Sequence, residues 1–261
     1  MTGNALDLIG QADVWVWQAL AVFLRCGAVV ALMPAFGERS VPMRVKLGLA
    51  MALTAVVAPG APDAPLNSLI EVSIPFFFYF ACAEAVTGLF LGLTLRLFVL
   101  ALQTAGSMAA QSTSLAQVLG GAAAEPLPAV GYVLVVGGLA LAVMAGLHVD
   151  VARFLLASYD LVPVGRFPSV ALVSKGGLAQ VAGCFGLAFS LAAPFVIASL
   201  LYNLTLGVIN RAMPQLMVAF VGAPVITCGA LVTLMLCAPL ILLAWREALM
   251  TFLANPAAMP R

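Results

Sequence analysis

Long apolar segments, separated by short polar ones, run along almost the whole chain. A helix needs roughly 20 apolar residues to cross the hydrocarbon core of a bilayer, which is about 30 Å thick. Most of the apolar runs are that long, and the second is shorter. They cover residues 14–36, 45–58, 74–102, 130–149, 178–202 and 216–245. The pattern predicts an all-α, polytopic membrane protein with about six apolar helical segments in a single membrane domain.

Several of these segments are not expected to be straight rods. Pro194 lies inside the fifth run, and Gly222 and Pro224 divide the sixth. A proline removes a backbone donor from a helix. The carbonyl that it frees is tolerated at membrane depth where other helices satisfy it. We therefore expect kinked or broken helices that pack within an assembly.

The composition excludes a soluble enzyme. Hydrophobic residues make up 64% of the chain and charged residues 8%, whereas soluble domains carry about 25% charged residues. That is too little charge to cover a surface in water. The net charge of +1 leaves no basic patch for nucleic acid.

The residue types that carry catalysis or bind metals are sparse. The five cysteines contain no Cys-x-x-Cys pair, so we expect buried thiols and no metal or disulfide framework. His148 stands two residues before Asp150, a spacing at which helical side chains do not face each other. Phosphate-binding loops, nucleophile elbows and zinc-protease motifs are missing from the sequence. We predict no catalytic residue, no metal site and no cofactor.

Basic residues in short loops suggest an orientation, because they favour the cytoplasmic side. Arg39, Arg44 and Lys46 place the first loop in the cytoplasm. Counting segments from there places the turn around Arg211 on the same side. The same count puts the basic region 150–175 outside, in mild conflict with the rule.

Glu84, Gly88, Gly92 and Arg96 recur every four residues, so they form one stripe along a helix. The two glycines make a GxxxG element that lets helices approach closely. A carboxylate at membrane depth normally faces protein or water. Glu84 either pairs with a neighbouring helix or lines a conduit, and the sequence leaves both readings open.

The stretch that begins at Gln103 is polar but uncharged, unlike the runs on either side. Neutral amides and hydroxyls at membrane depth need hydrogen-bond partners or water. They also offer no charge that would trap a passing peptide. This stretch either packs against other helices or faces a conduit.

Several stretches are characteristic in combination. They are Pro34-Ala-Phe-Gly-Glu-Arg-Ser-Val-Pro-Met-Arg-Val-Lys-Leu, the stripe from Glu84 to Gly92, Tyr159-Asp-Leu-Val-Pro-Val-Gly, Asn203-Leu-Thr-Leu-Gly-Val-Ile-Asn-Arg-Ala-Met-Pro-Gln-Leu, and Gly222-Ala-Pro. In this order, from about residue 15 to residue 250, the chain resembles the flagellar biosynthesis protein FliR family. That family is the export-apparatus component shared with type III secretion injectisomes.

The resemblance implies a subunit of a helical, pore-forming export gate in the bacterial inner membrane, at the flagellar basal body. It implies two kinds of smaller membrane-protein partners in a hetero-oligomer, contact with membrane lipid, and unfolded flagellar proteins as the exported substrates. In the family the chain looks like a fusion of the two partner folds. Residues 14–149 would then correspond to one partner, and residues 178–250 to a helical hairpin like the other.

The resemblance also implies roles for two groups of residues. In the family, the polar stretch forms a loop that helps to plug the closed pore. The candidate gate-loop residues are Gln103, Ser107, Met108, Gln111, Ser112, Thr113, Ser114, Gln117, Gly120 and Gly121. The turn between the fifth and sixth runs is expected on the cytoplasmic side. Its candidate residues are Asn203, Asn210, Arg211 and Pro214.

The chain departs from the family pattern within residues 112–128, where an aspartate-proline step is more usual. The injectisome relative of the same family is an alternative function. A small-solute secondary transporter, in which Glu84 and Arg96 would bind substrate or protons, is a third. Such transporters commonly show repeats across two halves, and we find no internal repeat in the sequence.

Overall fold

The computed structural model describes the backbone of residues 2–62, 74–113, 129–212 and 218–255, and all regular structure in these ranges is helical. The helices are α1 (Thr2–Leu32), α2 (Met43–Val57), α3 (Ile74–Thr113), α4 (Ala129–Met144), α5 (Leu147–Leu161), α6 (Gly177–Ala212) and α7 (Val218–Ala254). A 3₁₀ turn (Ala58–Gly60) follows α2, and a π-helical turn (Leu172–Gly176) precedes α6.

The number of membrane-crossing helices agrees with the sequence pattern. Within the described ranges, five helices are long and apolar enough to cross a bilayer. A sixth span is added if α4 and α5, which are bent by 74° at their junction, are counted together. The predicted all-α membrane fold is therefore confirmed.

Three boundaries differ from the sequence prediction. The fourth run does not continue to Val149, because the chain turns at Gly146, whose φ of 89° suits glycine. The sixth run is not divided, since α7 passes through Gly222 and Pro224 without a break. A single missing backbone donor is tolerated in a helix whose other hydrogen bonds remain.

The third difference concerns the polar stretch. A loop from Gln103 was expected, but α3 continues to Thr113, so residues 103–113 are helical. Serine and threonine can return a hydrogen bond to their own helix, as the Ser112 hydroxyl does to the carbonyl of Ala109 at 2.8 Å. Uncharged polar side chains therefore do not end the helix here.

The described residues form two compact units. The first comprises those within Met1–Leu97, Val143–Gln180 and Met250–Arg261, and the second those within Phe98–Ala142 and Val181–Leu249. The division of the membrane domain into 14–149 and 178–250, which follows chain order, remains a prediction.

In the first unit, α1, α2, α5 and the first part of α3 share an apolar core. Cys26 and Val29 of α1 and Met33 directly after it are fully buried, as are Phe154 and Leu155 of α5. At one end of the unit, the Gln18 amide donates to the carbonyls of Ala58 and Ala61 at 3.1 and 3.2 Å. The last carbonyls of a helix lack donors within the helix, and the Gln18 amide supplies donors to two carbonyls of the segment that follows α2.

In the second unit, small residues bring α3 and α4 together. The Cα atom of Gly131 lies 2.1 Å from the position that a Cβ on Gly106 would occupy, so no larger residue fits. The indole of Trp245 on α7 is fully buried and donates to the carbonyl of Phe98 at 2.8 Å. A cavity of about 180 Å³ lies between α6 and α7 and is lined mainly by apolar atoms.

Candidate functional site

The first unit contains an ion pair buried inside its helical bundle. The Nε of Arg25 on α1 donates to Glu84 Oε2 on α3 at 2.8 Å, and its Nη2 donates to Oε1 at 3.2 Å. Both side chains have 0% exposure. This two-point arrangement matches the planar guanidinium to the carboxylate and is the strong form of such a pair.

Helix α5 and the segment after it supply the remaining partners of the pair. Arg25 Nη1 donates to the Ser158 hydroxyl, and Nη2 donates to the carbonyl of Val162, both at 3.1 Å. The ring of Tyr159 lies 3.9 Å from the guanidinium carbon, close enough for a cation–π contact. The pair therefore joins α1, α3 and α5, and we call Arg25, Glu84, Ser158, Tyr159 and Val162, with Gly165, the buried clamp.

Gly165 completes the clamp through its backbone. Its N–H donates to Glu84 Oε1 at 2.6 Å. Its φ of 73° is unfavourable for other residues, and a Cβ there would lie 2.7 Å from the ring of Phe80. Glycine is thus required both by the turn and by the space. The motif from Tyr159 to Gly165 therefore contributes three groups to the clamp, which are the Tyr159 ring, the Val162 carbonyl and the Gly165 N–H.

The stripe on α3 faces α1 along its length. A Cβ on Gly88 would meet the Arg25 carbonyl oxygen at 2.5 Å, and one on Gly92 would meet Leu32 Cβ at 3.1 Å. Arg96 forms an ion pair with Glu38, in the loop after α1. The structure thus brings the predicted stripe together with α1 and its following loop.

At this site the charges of Arg25 and Glu84 neutralise each other inside the helical bundle. Glu84 is fully buried and is bonded to Arg25 and Gly165, so it pairs with a neighbouring helix and does not line a conduit in this structure. Among the described residues, no group of three or more His, Cys, Asp or Glu side chains could hold a metal ion. The hydroxyl of Tyr159 is buried without a partner in the part of the chain that the structure describes.

Of the clamp residues, Glu84 was predicted as a site residue, the residues from Tyr159 to Gly165 were only part of a quoted motif, and Arg25 and Ser158 were not selected. Arg25 is the one charge in the first apolar run, and an unexplained charge at membrane depth could have been paired with Glu84. Ser158 has no comparable signal, because an isolated serine in an amphipathic helix is unremarkable. Glu38 belongs to a quoted motif, but its pairing with Arg96 could not be read from that motif.

A second feature is a line of exposed and half-buried residues on α3, which we call the α3 line and which repeats every three or four residues. It begins with apolar side chains and continues with polar ones on the same face of the helix. Its members are Phe78, Cys82, Val86, Leu89, Leu93, Arg96, Leu100, Gln103, Ser107 and Gln111. The candidate gate residues Gln103 and Ser107 are half-buried, and Gln111 is exposed. None of the three belongs to the fully buried core of the described residues.

The other candidate gate residues are placed as follows. Met108 and Ser112 are half-buried on α3, and Thr113 is the last residue of that helix. Ser114, Gln117, Gly120 and Gly121 lie outside the described residues. Gly106, which sequence reasoning did not select, is the residue that allows α3 to contact α4.

The predicted cytoplasmic turn is described only on one side. Asn203 is half-buried on α6, and Asn210 and Arg211 are exposed in its last turns. An arginine at this end interacts favourably with the helix dipole. Pro214 lies outside the described residues.

The expectation of buried thiols is right for Cys26 and wrong for Cys82 and Cys228, which are exposed on the outside of this chain. The helices that carry them have apolar outward faces, so hydrophobic character did not imply burial. His148 is exposed, and Asp150 contacts Arg153 at 3.3 Å on α5.

Sequence comparisons find one family and several relatives. The family "Bacterial export proteins, family 1" matches residues 16–252. The flagellar biosynthetic protein FliR of Caulobacter vibrioides is 32% identical over 217 residues, covering 80% of this chain and 83% of that protein. The FliR proteins of Escherichia coli and Bacillus subtilis are 30% and 28% identical, over 81% and 87% of this chain and 79% and 88% of their own lengths.

Proposed function

The chain belongs to the bacterial export proteins family 1, the family of the flagellar biosynthetic protein FliR, and on that premise we propose how it acts as a membrane component of the flagellar export gate. It is a protein of the bacterial inner membrane and flagellar basal body, and not an enzyme. The relatives named above are flagellar proteins, which favours the flagellar system over an injectisome.

We propose that the chain works only as part of a hetero-oligomer with other small membrane subunits. The observation that supports this is the length of its exposed apolar helices. The apolar span that includes α6 covers 41 residues, and that of α7 covers 30. These correspond to about 60 Å and 45 Å of helix, against a hydrocarbon core of about 30 Å.

A bilayer alone cannot cover apolar helices of that length. Of the residues in these two spans, 28% and 17% are buried within the chain, so most of their surface needs another apolar environment. Exposed apolar surface on this scale is typical of a protein interface. Helices of partner subunits would supply the missing cover outside the hydrocarbon region.

Within that assembly, we assign the polar part of the α3 line to the wall of the export path. Gln103, Ser107 and Gln111 present amides and a hydroxyl without charge. Such groups can exchange hydrogen bonds with the backbone of an unfolded chain as it passes, without the strong ion pairs that would hold it. The loop role of Ser114, Gln117, Gly120 and Gly121, and the cytoplasmic placement of the Asn203-to-Pro214 turn, remain proposals.

The buried clamp would keep the first unit rigid during export. It fixes α1, α3 and α5 to one another through bonds that leave neither charge unsatisfied.

The test is affinity purification of the tagged chain in mild detergent, followed by mass spectrometry. We expect small membrane subunits of the export apparatus to co-purify at fixed ratios, and the chain expressed alone to aggregate. A chain that is monodisperse alone and retains no membrane partner would contradict the proposal. It would favour a small-solute transporter instead.

A further inference from the structure

Two helices of the first unit have apolar surfaces that end near the same loop. The apolar span of α1 runs from Trp15 to Leu32, 18 residues, or about 27 Å of helix. The exposed apolar part of the α3 line within this unit, from Phe78 to Leu93, rises about 23 Å. Both lengths are comparable with the hydrocarbon thickness of about 30 Å.

The Glu38–Arg96 ion pair follows Leu93, the last exposed apolar residue of α3 within this unit. It joins the loop after α1 to α3, and both side chains are about one quarter exposed. A partly exposed charged pair beside apolar helix surfaces belongs at the edge of the hydrocarbon layer. We therefore place the membrane boundary at the level of this pair.

The loop at this level carries uncompensated positive charge. Glu38 is occupied by Arg96, and the Lys46 ammonium donates to the carbonyl of Gly37 at 3.0 Å. Arg39 and Arg44 are exposed, and neither forms an ion pair or hydrogen bond with another described residue. Two free guanidinium groups thus stand at the membrane boundary.

Helix α2 places an apolar surface next to these cations. Ala50, Leu53 and Val57 face the core of the unit, whereas Leu47 and Met51 are more than half exposed. Arg44 lies on the same exposed side as Leu47 and Met51, one and two turns earlier along the helix. The surface therefore has cations at one end and apolar side chains along its length.

We propose that Arg39 and Arg44 bind the phosphate groups of anionic phospholipids, while the exposed side of α2 contacts the acyl chains. Guanidinium groups recognise phosphate oxygens through paired hydrogen bonds, and basic side chains beside the membrane attract anionic lipids. The cations at the boundary would contact the head group of one lipid molecule, and the apolar strip along α2 would contact its acyl chains. This inference rests on membrane placement and does not depend on the export function.

Native mass spectrometry tests the proposal on the full-length chain, purified in mild detergent together with the membrane subunits that it retains. The chain is titrated with phosphatidylglycerol and, separately, with phosphatidylcholine of the same acyl chains, and the ratio of the two affinities is measured. The variants are Arg39→Gln with Arg44→Gln, and Arg39→Lys with Arg44→Lys. The matched control is Arg166→Gln with Lys175→Gln, which removes two exposed cations of the same unit from other positions.

The wild type is expected to prefer phosphatidylglycerol, and the double glutamine variant to lose roughly 25-fold of that preference. The double lysine variant and the control should keep most of it. Equal preference in the wild type and the double glutamine variant would overturn the proposal. An equal loss in the Arg166→Gln, Lys175→Gln control would also overturn it, because any exposed cations would then attract the lipid. Loss of a protein partner from the double glutamine variant, with the lipid preference unchanged, would overturn it as well, because Arg39 and Arg44 would then bind that protein.

Discussion

The Arg25–Glu84 pair illustrates what two charges require inside an apolar bundle. Removing a charge from water is expensive unless its partner and its hydrogen bonds are all provided. Here the carboxylate receives bonds from Arg25 and from the N–H of Gly165, and the guanidinium also reaches Ser158 and the carbonyl of Val162. Loss of one charge leaves the other buried and unpaired, so the two residues should be studied as a unit.

We expect Glu84→Leu to lower the free energy of unfolding by about 3–5 kcal/mol, because it leaves a buried guanidinium without a counter-ion. Glu84→Gln should be milder, since the amide oxygen still accepts a hydrogen bond. Replacing both partners, as in Arg25→Met with Glu84→Leu, should recover part of the loss. Thermal unfolding in detergent measures the stabilities, and swimming in soft agar measures the consequence. Wild-type stability for Glu84→Leu would mean that the clamp does not hold the unit together.

The ring and the hydroxyl of Tyr159 are expected to contribute differently. The ring lies against Arg25, whereas the hydroxyl is buried without a partner among the described residues. Tyr159→Phe should therefore leave the unfolding free energy nearly unchanged, and Tyr159→Ala should lower it by about 3–5 kcal/mol, a typical loss for a large buried side chain. The same detergent unfolding assay compares them. A loss above about 1 kcal/mol for Tyr159→Phe would show that the hydroxyl is bonded, to water or to another subunit.

At the scale of elements, α1 and α3 depend on small residues in their contact. A Cβ on Gly88 would meet the Arg25 carbonyl oxygen at 2.5 Å and the Ala28 Cβ at 2.7 Å, whereas one on Gly92 would meet its nearest atom, the Leu32 Cβ, at 3.1 Å. Backbone and Cβ atoms cannot rotate away, so the closer contact at Gly88 is the more restrictive one. The close approach at Gly88 also sets the position of Arg25, so helix packing and ion pairing are linked.

Gly88→Ala is accordingly expected to cost about 1–3 kcal/mol of stability, as overpacking does, and Gly92→Ala less. Gly88→Leu should block assembly of the high-mass complex on blue-native electrophoresis. Gly27→Ala on α1 is the matched control, because a Cβ there meets nothing within 4 Å. If Gly88→Ala proved as stable as Gly27→Ala, the close contact between the helices would be in doubt.

At the scale of the whole molecule, the exposed surface is the main finding. The long apolar spans of α6 and α7 leave surface that other subunits are proposed to cover, and the α3 line changes from apolar to polar along one face. A change of side-chain type along one helix face indicates a change of surroundings, because apolar and uncharged polar side chains favour different environments.

If the polar part of the line belongs to the export path, Gln103→Leu with Gln111→Leu should preserve assembly and reduce swimming in soft agar. Leucine would replace a polar wall with an apolar one that retains apolar segments of the passing chain. Gln180→Leu on α6, which changes another half-buried glutamine, should leave swimming unchanged. A complex that falls apart in the double variant would instead assign these side chains to packing between subunits.

The sequence by itself determined the class of protein, the approximate number of spans and the family, because apolar run length and local motifs are properties of consecutive residues. It also singled out Glu84, Gly88, Gly92 and Arg96, since a spacing of four places residues on one helix face. The tertiary structure alone decided what that face meets. Arg25, Ser158 and Gly165 lie 59 to 81 positions away from Glu84 in the sequence, and none of them is on the same helix. No local sequence pattern encodes such pairings. The continuation of α3 through the polar stretch likewise appears only in the tertiary structure, in which Gly106 packs against Gly131 where the family resemblance implied a loop.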